Sequence, residues 1–194
     1  MKKILSTFLG AVLWLIAASS QAAITIGILP NTTNVTVGDQ VNVALTISGL
    51  GVNQAPSVGS FDLNFNFDPN IFSLVGDPVF GDQLDLFSLG SYTKVTLGTG
   101  QINLYELSYD SESDLNNLQA DSFTLATFNL KVIAAGVSSL TITNLILADA
   151  AGDLLTADIQ SSSVTSNPSS SLPLPSSLLM LLTGLFTLIT LQQK

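Results

Sequence analysis

The chain has 194 residues, with 14 acidic side chains against five lysines, for a net charge of −9, and it contains neither cysteine nor histidine. Those absences exclude disulfide staples, Ser-His-Asp and Cys-His nucleophiles, and zinc, haem or iron–sulfur sites built on thiolate or imidazole. Arginine is also missing, and with an acidic surface this excludes nucleic acid as a partner.

Residues 1–22 carry Lys2 and Lys3, an apolar stretch from Phe8 to Ala18, and then Ser19-Ser20-Gln21-Ala22-Ala23. This reads as a secretory signal peptide cleaved after Ala22. Its apolar core is shorter than the ~20 residues of a membrane span. Residues 23–165 form one expected domain of ordinary size. All fourteen acids lie between Asp39 and Asp158, while Lys94 and Lys131 are the only bases there, so the domain stands at net −12. Partners are therefore expected to be neutral, cationic or calcium-bridged, and stability must come from a hydrophobic core.

The first strand is expected over Ile24 to Leu29. In the next, Val41, Val43, Leu45 and Ile47 alternate with smaller or polar neighbours, and Phe61, Leu63, Phe65 and Phe67 alternate with Asp62, Asn64 and Asn66. Period two with one apolar face marks half-buried strands. Further strands are expected over Lys94 to Leu97, Ile102 to Ser108, Phe123 to Ile133, Ser139 to Leu147 and Ala157 to Val164. Gly38-Asp39, Asp68-Pro69-Asn70, Gly76-Asp77-Pro78, Ala135-Gly136 and Gly152-Asp153 read as turns between them. Asp110 to Ala120 has room for a helical turn. About nine short strands with no convincing helical periodicity predict an all-β, two-sheet sandwich.

Three groups of residues carry candidate chemistry. From Gln101 to Tyr109, one strand face shows Tyr105, Leu107 and Tyr109 and the other shows Ile102, Leu104 and Glu106. If the tyrosine face is outside, it is a platform for protein or sugar; the alternative puts the tyrosines in the core or at a sheet edge. Asp110, Glu112 and Asp114 place carboxylates at alternate positions, which suits a calcium site on a curled loop, but no complete EF-hand loop is present, so solvated acidic loops are the other reading. Asp149, Asp153 and Asp158 gather near the last turn. Asp62, Asp68, Asp77, Asp82, Asp85 and Glu106 include possible pairs for glycoside hydrolysis, yet Asp68 and Asp77 fit turns and Asp62 alternates outward, so the chain is expected not to be an enzyme.

The run Ser161 to Ser171 is polar and of low complexity, and residues 166–172 are expected to be a linker. Residues 173–194 begin with Pro173-Leu174-Pro175, continue as an apolar run from Leu178 to Leu191, and end in Gln192-Gln193-Lys194. With Leu172 this is about the ~20 residues that cross a bilayer.

That tail resembles the C-terminal sorting signal of PEP-CTERM proteins, which joins a Pro-x-Pro motif to an apolar helix and a basic end. Leu174 stands where the family name has Glu, and one lysine replaces an arginine-rich tail, so membrane orientation is weakly specified. The resemblance implies transient membrane insertion, processing by an exosortase-type membrane protease, and delivery to the cell surface or extracellular matrix. A plain C-terminal anchor is the alternative.

The domain resembles the cohesin family. Val35-Thr36-Val37-Gly38-Asp39 matches its opening strand and turn, and Phe61-Asp62-Leu63-Asn64-Phe65-Asn66-Phe67-Asp68-Pro69 matches its aromatic strand. Phe128-Asn129-Leu130-Lys131-Val132 looks like its penultimate long strand, and the acidic loop from Leu147 to Asp153 precedes the closing one. The resemblance spans roughly Ile24 to Val164 and implies a jelly-roll-like sandwich of about nine strands. Such a domain binds a surface protein or polysaccharide without catalysis and needs no cofactor, calcium being the one candidate. A structural matrix component, acting by self-association or calcium bridging, is the second reading.

Overall fold

The computed structural model describes residues 23–169. The expected signal peptide with Ala22, and the tail with Pro173, Leu174 and Pro175, lie outside the described residues. No helix among the described residues is long and apolar enough to cross a membrane.

Among the described residues twelve strands and one helix follow in order: β1 (Thr25–Pro30), β2 (Asn34–Thr36), β3 (Gln40–Ser48), β4 (Val58–Asn66), β5 (Phe72–Phe80), β6 (Ser91–Gly98), β7 (Gln101–Ser108), α1 (Glu112–Leu118), β8 (Ser122–Val132), β9 (Gly136–Asp149), β10 (Leu154–Leu155), β11 (Asp158–Gln160) and β12 (Ser162–Asn167). Nine of the strands have six or more residues. One sheet runs β11-β1-β3-β8-β5 and the other β2-β12-β9-β4-β7-β6, with the two-residue β10 added beside β9. β1 with β11 and β12 with β2 are parallel; the remaining pairs are antiparallel.

The core lies between the two sheets because alternate residues of each point toward the other. Val41, Val43, Leu45 and Ile47 of β3, with Leu125, Phe128 and Leu130 of β8, face Phe61, Leu63 and Phe65 of β4 and Ile102 and Leu104 of β7 in one buried cluster. Phe65 and Phe128 meet edge to face with ring centroids 4.5 Å apart, so the two sheets touch through an aromatic pair of favoured geometry.

Three sequence expectations are corrected. Gly76-Asp77-Pro78 is a bulge inside β5 rather than a turn: Val75 pairs with Asn129 and Val79 with Thr127, leaving extra residues on the β5 side. Gly76 takes φ +69° there, and Pro78, which has no N–H to offer a ladder, is tolerated where pairing lapses. The strand expected over Ala157 to Val164 is divided at Ser161. β11 pairs with β1 in the first sheet, whereas β12 pairs with β9 and β2 in the second. Finally, the serine-rich run is not a linker from Ser161 or from Ser166, because β12 continues to Asn167. Val164 and Ser166 are buried along it, so period two is present but is written in hydroxyl side chains that resemble a linker in composition.

Candidate functional site

Strand register assembles a flat outer face on β6, β7, β4 and β9. Tyr92 lies beside Leu107, which lies beside Ser60; in the next row Lys94, Tyr105, Asp62 and Ile146 stand side by side. Below them come Thr96, Asn103, Asn64 and Thr143, and then Gly98, Gln101, Asn66 and Thr141. Asn144, with φ +52°, supplies the extra residue that keeps β9 in step with this face across its bulge.

The two ends of the face differ chemically. At one end Tyr92 packs edge to face on Tyr105, with centroids 5.8 Å apart. Ile146 is 56% exposed and Tyr109, just beyond β7, 65%. The loop of residues 81–90, at the same end of the sheet, adds Phe87 and an 81% exposed Leu89. At the other end an amide network crosses the strands. Asn103 Nδ2 donates to Asp62 Oδ1 at 2.6 Å and to Asn64 Oδ1 at 3.0 Å, Gln101 Nε2 donates to Asn66 Oδ1 at 2.9 Å, and Asn66 Nδ2 donates to Thr143 Oγ1 at 3.0 Å. Side chains tied to one another in this way are held in place before any ligand arrives, which lowers the ordering cost of binding.

Tyr105 and Leu107 are therefore on the outward side of β7, with Tyr109 exposed just past its end, while Ile102, Leu104 and Glu106 point into the sandwich. Tyr92, Leu89, Ile146 and the amide rows were not singled out from sequence. The alternation Tyr92-Thr93-Lys94-Val95-Thr96 carries a signal for β6, but Ile146 depends on a bulge that no local pattern announces.

The acidic residues have structural partners. Asp110 Oδ2 accepts from Leu86 N at 2.8 Å. Ser111 caps α1: its Oγ accepts from Asp114 N and donates to Asp114 Oδ2 at 2.6 Å. Glu112 and Asp114 lie in the first helical turn, where negative charge complements the exposed N–H groups. Among the described residues no three acidic side chains gather into a group that could hold a metal ion, so Asp110, Glu112 and Asp114 are not brought together as a calcium site. Asp149 Oδ1 accepts from Ala151 N and Asp153 N and closes the last acidic loop on itself. Asp68 likewise accepts from Asn70 N, and Asp85 from Gly90 N. Glu106 differs in being buried, on the inner side of β7, and its carboxyl is raised to about 7, chiefly by burial.

Residues 27–167 match the family model for the cohesin domain. The chain belongs to the cohesin family. Solved cohesins share the sandwich at low identity. The non-cellulosomal cohesin of the hyperthermophilic archaeon Archaeoglobus fulgidus is 19% identical, with TM-score 0.57 over 75% of this chain and 92% of that one. The sixth cohesin of scaffoldin B from Acetivibrio cellulolyticus, solved in complex with a Cel5 dockerin, is 13% identical, with TM-score 0.60 over 75% of this chain and all of that one. The cohesin module of a Clostridium perfringens family 33 glycoside hydrolase is 19% identical, with TM-score 0.58 over 76% and 98%. No curated protein matches the chain. The cohesin fold is a non-catalytic protein-binding module.

Proposed function

We propose that this cohesin is an exported binding module that engages a protein partner of the dockerin kind through the outer face of β6, β7, β4 and β9. The observation that carries the reading is the convergence of Tyr92, Tyr105, Leu107 and Ile146, from three strands, beside a pre-ordered amide network. Aromatic side chains ringed by polar groups are the usual anchors of protein interfaces. A net charge of −12 on the domain favours a basic partner surface and opposes self-association, because two copies would repel.

Export rests on the first 22 residues, read as a signal peptide, and delivery rests on the tail resembling PEP-CTERM sorting signals. On that reading an exosortase-type protease removes the residues after about Pro175 and leaves the cohesin at the cell surface or in the matrix. Intact-mass measurement of protein recovered from the medium is expected to show a chain beginning at Ala23 and lacking Lys194. Full-length protein in the membrane fraction would instead support a plain anchor.

The face is tested by retention on immobilised surface proteins of the source cells. Tyr105→Ala, with Tyr92→Ala as a second variant, is expected to weaken retention of one stoichiometric partner by more than about tenfold, as for a central interface aromatic. Leu29→Ala, at an exposed position in the opposite sheet, is the control. Raising salt should weaken retention further if the partner is basic. Unchanged retention of both tyrosine variants would place binding elsewhere, and retention on polysaccharide alone would make the ligand a glycan.

A further inference from the structure

Glu106 is 1% exposed and follows Ile102 and Leu104 on the inner side of β7. Its Oε1 accepts a 2.7 Å hydrogen bond from Ser91 Oγ, while Oε2 is buried with no hydrogen-bond partner among the described residues. A buried carboxylate with one unsatisfied oxygen is costly, whereas a neutral carboxylic acid is tolerated far better. Titratable groups on the neighbouring segments are mostly acids: Asp82 and Asp85 in the 81–90 loop, Asp110 past β7, and Glu112 and Asp114 on α1. On β6 and β4 the charged residues Lys94 and Asp62 occupy the outer face, away from Glu106. The carboxyl is raised to about 7 by burial first, with the Ser91 bond pulling it down and the Asp85 charge pushing it up.

The position of Glu106 ties it to the outer face. Ser91 opens β6, Thr93 is registered opposite Glu106, and Tyr92 between them packs on Tyr105. β6 is an edge strand hydrogen-bonded to β7 alone, so it can leave the sheet without breaking bonds to a second strand. The loop leading to it is folded on Asp85, whose carbonyl accepts from Ser88 N and whose Oδ1 accepts from Gly90 N.

We propose that Glu106 is a proton-controlled latch for β6: neutral, it lets β6 close on β7 and hold Tyr92 against Tyr105, and ionised, it draws in water, loosens residues 81–98 and dismantles part of the outer face. The consequence for partner binding rests on the function proposed above; the latch itself does not. When the segment opens, Glu106 is hydrated and returns to its ordinary value of 4.5. The closed form thus holds its proton more tightly than the open one. Closure is strongest below about pH 4.5, is progressively lost between there and about pH 7, and is flat above, where both forms are ionised.

Hydrogen exchange of the full chain between pH 5 and pH 8, corrected for intrinsic exchange rates, reads the latch without any partner. Opening of peptides within 81–98 is expected to rise roughly 50- to 100-fold across that range, with β3 as an unresponsive reference. Glu106→Gln, close to isosteric and uncharged, should flatten the dependence. Ser91→Ala should move it to higher pH, because the bond that favours the ionised form is gone. The same pH dependence in wild type and Glu106→Gln, or β3 opening in parallel with 81–98, overturns the latch. Retention on the immobilised surface proteins at pH 5.5 and 7.5 reads the coupling: loss at 7.5 in wild type but not in Glu106→Gln supports it, and equal wild-type retention at both overturns it. Failure of Tyr105→Ala to reduce retention would sink the binding face while leaving the exchange result intact.

Discussion

Phe65→Ala is expected to destabilise the fold by about 4 kcal/mol, in the middle of the range for an aromatic truncated to alanine in a closed core. Phe65 is fully buried, packs edge to face on Phe128 at 4.5 Å, and lies 6.2 Å from Phe67. It stands on β4, in the middle of its sheet, while Phe128 stands on β8 in the other. The cavity left behind would therefore separate the two layers at their aromatic contact, where backbone from both sheets resists collapse. Urea denaturation gives the comparison directly, and the absence of cysteine keeps it free of redox artefacts. Phe65→Leu, which retains most of the volume, should lose less than half as much. A loss below about 1 kcal/mol for alanine would mean that this inter-sheet contact carries little of the stability.

Gln119→Ala should cost about 3 kcal/mol, unusually much for a polar side chain, because of what it leaves unbonded. Gln119 is buried, its Oε1 accepts from Val58 N at 2.6 Å, and its Nε2 donates to Val58 O at 3.0 Å and Gln83 O at 2.9 Å. The side-chain amide therefore serves Val58 as a neighbouring strand would, at the start of β4 and just past the end of α1. Removing it strands a donor and an acceptor of β4 without water, and each such group costs about 1 to 3 kcal/mol. Gln119→Met fills the space without making the bonds and should lose nearly as much as alanine. Full rescue by methionine would show that packing, rather than the paired amide, is what matters there.

The sandwich was legible wherever a strand buries one side only. β3, β4 and β7 show the alternation plainly, since Val41 to Ile47, Phe61 to Phe65 and Ile102 to Leu104 face the core and polar residues face water. Legibility failed where tertiary context replaces composition. Pro78 and Gly76 are turn residues by propensity, but in β5 they sit in a bulge held by β8 on one side. Ser162 to Asn167 lacks the apolar bulk of a strand because β12 shares its sheet with β9 and β2 and buries little more than Val164 and Ser166.

The candidate site divides in the same way. The parity of Tyr105, Leu107 and Tyr109 could be read, but which parity faces water could not, because Glu106 falls on the side that turned out to be buried. A carboxylate in the core inverts the ordinary rule that charge marks the outside. The acidic run from Asp110 to Asp114 was open to two readings, ligand spacing or solvated loop, and its local roles are the capping of a short helix and a brace for Leu86.

Tyr92, Tyr105 and Tyr109 are the only tyrosines in the chain, and the one tryptophan, Trp14, falls within the first 22 residues. The near-ultraviolet chromophores stronger than phenylalanine that belong to the sandwich are thus confined to one end of one sheet. Emission and circular dichroism of a protein lacking the first 22 residues report on that patch without a label, and a tryptophan-bearing partner seated there would quench the tyrosines by energy transfer. Reagents that nitrate or iodinate phenols would mark the same patch, so protection from them maps its occupancy.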